Sequence, residues 1–347
     1  FLQLSDDRLW QLCLAVAPGQ PFRLALWRRL SGVFGDSDAA FLDSLPNGVP
    51  LGVDPTAPVA PCPVMLSAEP DCSHPLPLQH CTSAWQSALS APETVDQLLE
   101  AELAEGWIRV IPGGEDELRA TYARSAIGKL GLVSAPDRPP RLVVDSSVSR
   151  VTENTSLPNR SSYPSLKDVR SCAPTAMSQD SVSALVLDVS KAHRRILIRP
   201  EDRGLLCFRH RDRLYQCLTL NFGARASGFF WSRLAGLLLR LGHRLLYVRH
   251  ALLIYVDDIL GMLPLGTAPV WASVLVLLLL VLRVPMSWHK AAFGQQVVWM
   301  GWQLDLRTWS VGLEPGKAAR LLLLLRSLLG RCLLYTSDAA DEHRDVE

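Results

Sequence analysis

Between Asp36 and Gly106 the chain has no lysine and no arginine, yet it holds 11 aspartates and glutamates there. Any polyanionic partner must be met elsewhere. The eight cysteines show no paired spacing that reads as a disulfide framework. Cys62, Cys72, His74, His80 and Cys81 cluster, but at no usual zinc spacing. They read as loop residues, with a zinc site as the lesser alternative. No signal peptide is visible. Asn154-Thr155-Ser156 and Asn159-Arg160-Ser161 match the glycosylation sequon, a short pattern that arises by chance. An intracellular protein, in cytoplasm or nucleus, is expected. Charge is missing altogether from Ile259 to Leu282, and about 20 apolar residues suffice to cross a bilayer. Pro264, Gly266 and Pro269 divide that run and two aspartates abut it, so a core helix is expected and no membrane partner. An initiator methionine is absent too, and Phe1 reads as a fragment end. At the other end, Cys332 to Glu342 (CLLYTSDAADE) resembles translated adapter read-through, so residues from about 333 onward are set aside as a non-native tail.

What is present bounds the fold. The chain's 347 residues suit one large or two medium domains, and 48% hydrophobic residues can fill a sizeable core. Net charge is only +1, but it is unevenly spread: Asp188 to His250 holds 13 lysines and arginines against four acids. A block of that kind suits a polyanion, or else a soluble arginine-rich surface.

Phe1 to Phe34 has amphipathic helical spacing, and nine prolines between Leu45 and Leu78 argue for an extended linker. A helix is expected from Pro92, stopped by Gly106, then strands at 107–111 and 141–145. Ser183 to Asp188 reads as a buried strand ending in a carboxylate. A hairpin is expected around Arg211-Asp212, and a helix over 227–241. Further helices are expected over 270–283 and 315–329, with two strands between them, at 297–304 and 309–313.

One stretch carries chemistry. In Leu252-Leu253-Ile254-Tyr255-Val256-Asp257-Asp258-Ile259-Leu260, two carboxylates sit between apolar strand formers, and the Asp pair reads as the tight turn of a hairpin. Two adjacent half-buried carboxylates repel each other, and a hard divalent cation relieves that repulsion. A solvent-exposed Asp-Asp turn is the plain alternative. Asp188 decides between them, because it also ends an apolar strand. If the two strands neighbour each other, three carboxylates meet at one sheet edge and can hold two divalent ions about 3.5–4 Å apart, the arrangement that serves phosphoryl transfer.

On these residues the chain resembles a reverse transcriptase from about Val95 to Leu329. Tyr255-Val256-Asp257-Asp258 is similar to that family's catalytic box, and Asp188-Val189-Ser190-Lys191-Ala192-His193 to its first catalytic motif. Asn221-Phe222-Gly223, followed by Ala226-Ser227, resembles the motif at template and incoming nucleotide. Ser287-Trp288-His289-Lys290 resembles the lysine-bearing motif, and Trp299-Met300-Gly301-Trp302 the primer grip. Gly106-Trp107-Ile108, Gly131-Leu132-Val133 and Arg141 to Asp145 look like the fingers.

The resemblance implies an α+β, right-hand polymerase with fingers, a ferredoxin-like palm and a truncated thumb. Its expected parts are an N-terminal extension with a Pro-rich linker (1–91), fingers (92–182), palm (183–304), the start of a thumb or connection (305–332) and the tail (333–347). It implies Asp188, Asp257 and Asp258 as catalytic carboxylates, with the Val189 carbonyl helping to hold metal. Arg141, His193, Phe222, Gly223 and Lys290 would bind nucleotide, while Trp299, Met300 and Gly301 would grip the primer. Two Mg²⁺ ions, replaceable by Mn²⁺, and dNTPs are implied, with an RNA or DNA template and its primer as partners.

The sequence also departs from the pattern. His193 stands where the family has Tyr or Phe, which weakens the expected exclusion of ribonucleotides. Lys191 replaces an acidic or small residue, and only Lys129 or Arg138 answers to a second fingers lysine. The pattern is closer to retrotransposon than to viral enzymes. An inactive or domesticated nucleic-acid-binding palm and an RNA-dependent RNA polymerase are the alternatives. Tyr255-Val256 speaks against the latter, which has Gly before the Asp pair.

Overall fold

The computed structural model describes residues 7–69, 75–135, 138–176 and 181–341. Helices α1 (Asp7–Leu14) and α2 (Leu24–Val33) lead to β1 (Leu66–Ser67), α3 (Gln86–Leu89), α4 (Pro92–Ala104), β2 (Ile108–Ile111) and α5 (Gly114–Thr121). Next come β3 (Ile127–Ala135), β4 (Arg138–Asp145), α6 (Val151–Asn154), β5 (Asn159–Arg160) and α7 (Leu166–Ala176). The central part is β6 (Val182–Asp188), β7 (Cys207–His210), β8 (Arg213–Cys217), α8 (Arg225–Leu245), β9 (Ala251–Tyr255), β10 (Asp258–Pro264) and α9 (Ala268–Val281). Short strands β11 (Ala292–Gly294), β12 (Gln296–Trp299), β13 (Trp302–Asp305) and β14 (Ser310–Leu313) precede α10 (Pro315–Asp341).

A four-stranded antiparallel sheet in the order β11-β6-β10-β9 positions the carboxylates. With α8 between β6 and β9 and α9 between β10 and β11, its path is βαββαβ. All seven residues of β6 are buried, because both faces of the sheet are covered. Side chains alternate across a strand. Leu185 and Leu187 accordingly join the large core with α8 and α9, while Val182, Ala184 and Val186 join a second cluster with Val297, Trp299 and Leu304. The same alternation in β10 sends Ile259 and Leu263 one way and Leu260 and Met262 the other. A strand covered on both sides reads as a continuous apolar run, which is why β6 was legible.

A mixed five-stranded sheet, β2-β8-β7-β3-β4, and a three-stranded sheet, β12-β13-β14, complete the frame. The three strands correct an expectation of two. The apolar run Val297 to Leu304 breaks at Met300-Gly301, whose φ values of 52° and 76° form the two-residue turn between β12 and β13. The final helix also runs past Leu329, to Asp341, so it continues into the expected tail; residues 342–347 lie outside the described residues.

The Pro-rich stretch is no free linker. Leu45, Val49, Leu51, Val53 and Val59 are buried in the same core as α8, and Val49 bridges to Ile198. Arg233 of α8 anchors the N-terminal segment. Its guanidinium donates to both oxygens of Asp38 at 2.6–3.0 Å and to the Ala60 carbonyl at 2.8 Å, with both side chains buried. Among the described residues, no helix is long and apolar enough to cross a membrane. The uncharged run 259–282 instead forms β10 and α9.

Candidate active site

The register sets Asp258 directly opposite Asp188 across the β10–β6 ladder. Asp257 lies in the two-residue turn between Tyr255 and Asp258, which pair with each other. This refines the expected hairpin: the turn is Val256-Asp257, and Asp258 already belongs to the strand. One carboxylate oxygen from each of Asp188, Asp257 and Asp258 lies within 4.8 Å of the others. Among the described residues they are the one group of three or more His, Cys, Asp or Glu side chains so placed.

The turn is conformationally costly. Val256 has φ 53°, with no such value at Asp257, the pattern of a type II′ turn whose first position favours glycine. A β-branched residue there is strained by about 1–3 kcal/mol. Hydrogen bonds to three successive carbonyls hold the backbone. The Trp231 indole N–H donates to Val256 O at 2.6 Å, the Val189 N–H to Asp257 O at 2.9 Å, and the Trp299 indole N–H to Asp258 O at 3.2 Å.

Electrostatics mark the carboxylates as under-compensated. Burial, then the Asp188 charge, raises the Asp257 carboxyl above its ordinary value, against smaller opposing effects from Lys290 and Arg141. Burial and the neighbouring Asp257 and Asp188 carboxylates push Asp258 up to about 6. The Lys290 ammonium sits 2.8 Å from Asp188 Oδ2, and together with the more distant Arg141 it offsets the three acids only in part. An all-oxygen donor set with surplus negative charge fits a hard divalent ion such as Mg²⁺ or Mn²⁺. Val189 bridges to Met286 through bonds made by its neighbours, Ser287 N–H to Asp188 O and Ser190 N–H to Pro285 O, so its own carbonyl is not spent in that bridge.

The other expected residues fall around this point. Arg141 is exposed on β4, within electrostatic reach of Asp257. His193 meets the edge of Phe222 with ring centroids 5.1 Å apart. Its ring nitrogens are buried and, among the described residues, without partners. Burial and Arg194 depress the imidazole to about 4, so it is neutral. Gly223 has φ 111°, and a Cβ there would lie 2.3 Å from the Val144 carbonyl oxygen, so the turn accepts only glycine. Met300 and Gly301 form the β12–β13 turn, but the ring of Trp299 is 1% exposed and points at the Asp hairpin rather than at a surface.

Some expectations end elsewhere. Lys129 lies over the Trp85 ring at 4.6 Å, and the Arg138 side chain is outside the described residues. The lesser zinc reading finds no support: the Cys62 thiol donates to Asp38, His80 pairs with Glu115 at 2.6 Å, and Cys72 and His74 lie outside the described residues. Both sequon asparagines are engaged with backbone, Asn154 at Leu76 and Asn159 at Cys62. Sequence reasoning missed Trp231. The available signal was a tryptophan on the buried stripe of a helix, whose N–H must find an acceptor.

No family model matches the chain, and no curated protein matches it. Solved structures do. It is similar to the foamy viral protease-reverse transcriptase dRH in complex with double-stranded DNA, at 16% identity and a TM-score of 0.54, over 73% of this chain and 40% of that one. Against the foamy viral protease-reverse transcriptase with double-stranded DNA the figures are 16%, 0.52, 84% and 56%. With an RNA/DNA hybrid they are 17%, 0.52, 77% and 34%. The chain thus spans about half or less of the length of these proteins. Such low identity bears on fold alone, and the fold is reverse transcriptase-like.

Proposed function

We propose that this chain is the polymerase part of an RNA-directed DNA polymerase, adding deoxynucleotides to a primer 3′-hydroxyl on an RNA or DNA template. One observation carries the reading: three carboxylates, from the end of β6 and from the β9–β10 hairpin far along the sequence, converge at one end of a βαββαβ sheet, within a reverse transcriptase-like fold. The β11-β6-β10-β9 sheet with α8 and α9 is the ferredoxin-like palm, the five-stranded sheet belongs to the fingers, and α10 begins the thumb.

Asp188, Asp257, Asp258 and the Val189 carbonyl would hold two Mg²⁺ ions, with Mn²⁺ as a substitute. Bound there, the ions supply a lowered pKa at the attacking hydroxyl and offset charge on the leaving pyrophosphate. The chain's own groups bind and orient. Arg141, a cationic fork suited to phosphate, receives the triphosphate beside Asp257. Lys290 exchanges its Asp188 partner for phosphate. Gly223 lets the backbone approach the nucleotide, with Phe222 and His193 forming the wall next to it. The Met300-Gly301 turn supports the primer end.

Primer extension on an RNA template with Mg²⁺, comparing dNTPs with NTPs, tests the reading. Asp257→Asn should lower extension by roughly 1,000-fold or more, about 4 kcal/mol of transition-state stabilisation, and leave primer-template binding largely intact. Normal extension by that variant would show the metal site to be misassigned. Wild-type binding without extension would favour a non-catalytic nucleic-acid-binding palm, and a preference for NTPs would favour an RNA polymerase.

A further inference from the structure

We propose that Trp231, assisted by Trp299, is a positioning residue that braces the Val256-Asp257 turn and so holds the three carboxylates in metal-binding register; this rests on the polymerase reading above. The two indoles reach the hairpin from opposite faces of the sheet. Trp231 belongs to the core cluster shared with α8 and α9, and Trp299 to the cluster beneath β12 and β13. Each ring is 1% exposed. Each N–H meets one backbone carbonyl, on either side of Asp257: Val256 O at 2.6 Å and Asp258 O at 3.2 Å. Val189 takes the carbonyl between them at 2.9 Å. Three consecutive peptide oxygens are therefore tied to three separate segments of the chain: α8, the residue after β6, and β12.

The brace answers two stresses at the same point. Val256 is held at φ 53°, where a β-branched residue does not rest by itself. Three like charges within 4.8 Å push the turn away from β6. Rotation of the Val256–Asp257 peptide would relieve both, swinging the Asp257 carboxylate out of the cluster. The indole bond opposes that rotation, because breaking it would leave the N–H of a buried indole without a partner.

The test replaces Trp231 with β-(3-benzothienyl)alanine, which keeps the ring shape and puts sulfur in place of the N–H. Mn²⁺ binding to the full chain is measured by electron paramagnetic resonance, without nucleic acid or nucleotide, alongside Tm and steady-state extension. The expected result is Mn²⁺ binding weakened about 10- to 100-fold, the range for groups that orient metal ligands, with kcat lowered and the dNTP KM unchanged. The same analogue at Trp27, whose buried indole N–H has no partner among the described residues, should leave Mn²⁺ binding unchanged. At Trp299, with the longer bond, the loss should be smaller than at Trp231. In a Val256→Gly background the turn is relaxed, and the Trp231 analogue should then weaken binding by less than about threefold.

Wild-type-like Mn²⁺ affinity in the Trp231 analogue, or an equal loss at Trp27, overturns the brace. If the Trp231 analogue does not fold, an unchanged affinity at Trp299 overturns it instead. Should the unsubstituted chain fail to bind Mn²⁺, or Asp257→Asn bind it equally well, the metal-site reading itself falls, and the brace with it.

Discussion

His193 gives the sharpest test of the packing beside the site. Burial and the adjacent Arg194 lower its pKa from the ordinary 6.5 to about 4. The unfolded chain therefore takes up a proton at a higher pH than the folded chain does. The stability that comes from keeping the ring neutral is fully present above 6.5 and is lost as pH falls through that value towards about 4. Linkage puts the loss at about 2 kcal/mol between pH of about 7.5 and about 5, and at about 3 kcal/mol by a pH of about 4. Asp258 acts in the opposite sense, since its folded value is raised to about 6 and protonation there favours the folded chain as pH falls. The wild-type curve therefore mixes two slopes, and a comparison is needed. His193→Phe keeps a ring against Phe222 and cannot titrate. Urea unfolding of both proteins across this range should show the variant gaining about 2 kcal/mol relative to wild type on going to the acid end. Any overpacking by the larger ring moves its whole curve and leaves the pH dependence alone. Parallel curves would refute a buried, neutral His193. Glu115, held down to about 2 by His80 and Arg119, loses its contribution only as pH falls below its ordinary 4.5, and does so equally in both proteins, so it cancels in the comparison.

Two more predictions concern the frame. Asp38→Asn leaves the buried Arg233 guanidinium without its charge partner and should cost about 3–5 kcal/mol in urea unfolding; a loss below about 1 kcal/mol would mean the N-terminal segment is not anchored there. Gly223→Ala drives a methyl against the Val144 carbonyl at a positive φ and should cost at least about 2 kcal/mol, with extension falling in parallel if the turn seats a nucleotide. An undisturbed Gly223→Ala protein would show that the β4 backbone yields at this point.

Elements covered on both faces were plain in the sequence. β6 announced itself as an unbroken apolar run, and α8, most of whose residues are buried, by the helical spacing of 227–241. The motif residues could be placed at strand ends because each carboxylate terminates such a run. Two features stayed hidden for a shared reason: their conformation is set by tertiary contacts that leave no periodic trace. Val256 has the wrong propensity for its turn position, so the sequence pattern points one residue late, to the Asp pair; a tryptophan 25 residues upstream holds the turn in place. The Pro-rich stretch has no helix or strand period, yet Leu45, Val49, Leu51, Val53 and Val59 fill gaps in the core as irregular chain. Trp299-Met300-Gly301-Trp302 looked like continuous strand because only Gly301 interrupts its apolar character, and one glycine inside a strand pattern does not identify a turn.

The uneven charge along the chain takes on a different meaning once it is folded. The cation-free stretch and the basic block are in part complements of each other. Asp36 pairs with Arg240, Asp38 with Arg233, Asp96 with Arg211 and Glu102 with Arg194. In each pair the acid comes from 36–106 and the arginine from 188–250. A formal excess of positive charge read from the linear sequence therefore overstates what remains for a polyanion. Two of these pairs, Arg233–Asp38 and Arg240–Asp36, seat α8 against the N-terminal segment. That seating has a consequence for the site, because α8 also carries Ser227, which donates to the Asn221 carbonyl at 2.7 Å, and Trp231, which holds Val256. One helix thus links the Asn221–Gly223 turn, the carboxylate hairpin and the acidic segment. The Arg233–Asp38 ion pair, whose aspartate is distant in sequence from the carboxylate hairpin, is in this way mechanically close to it.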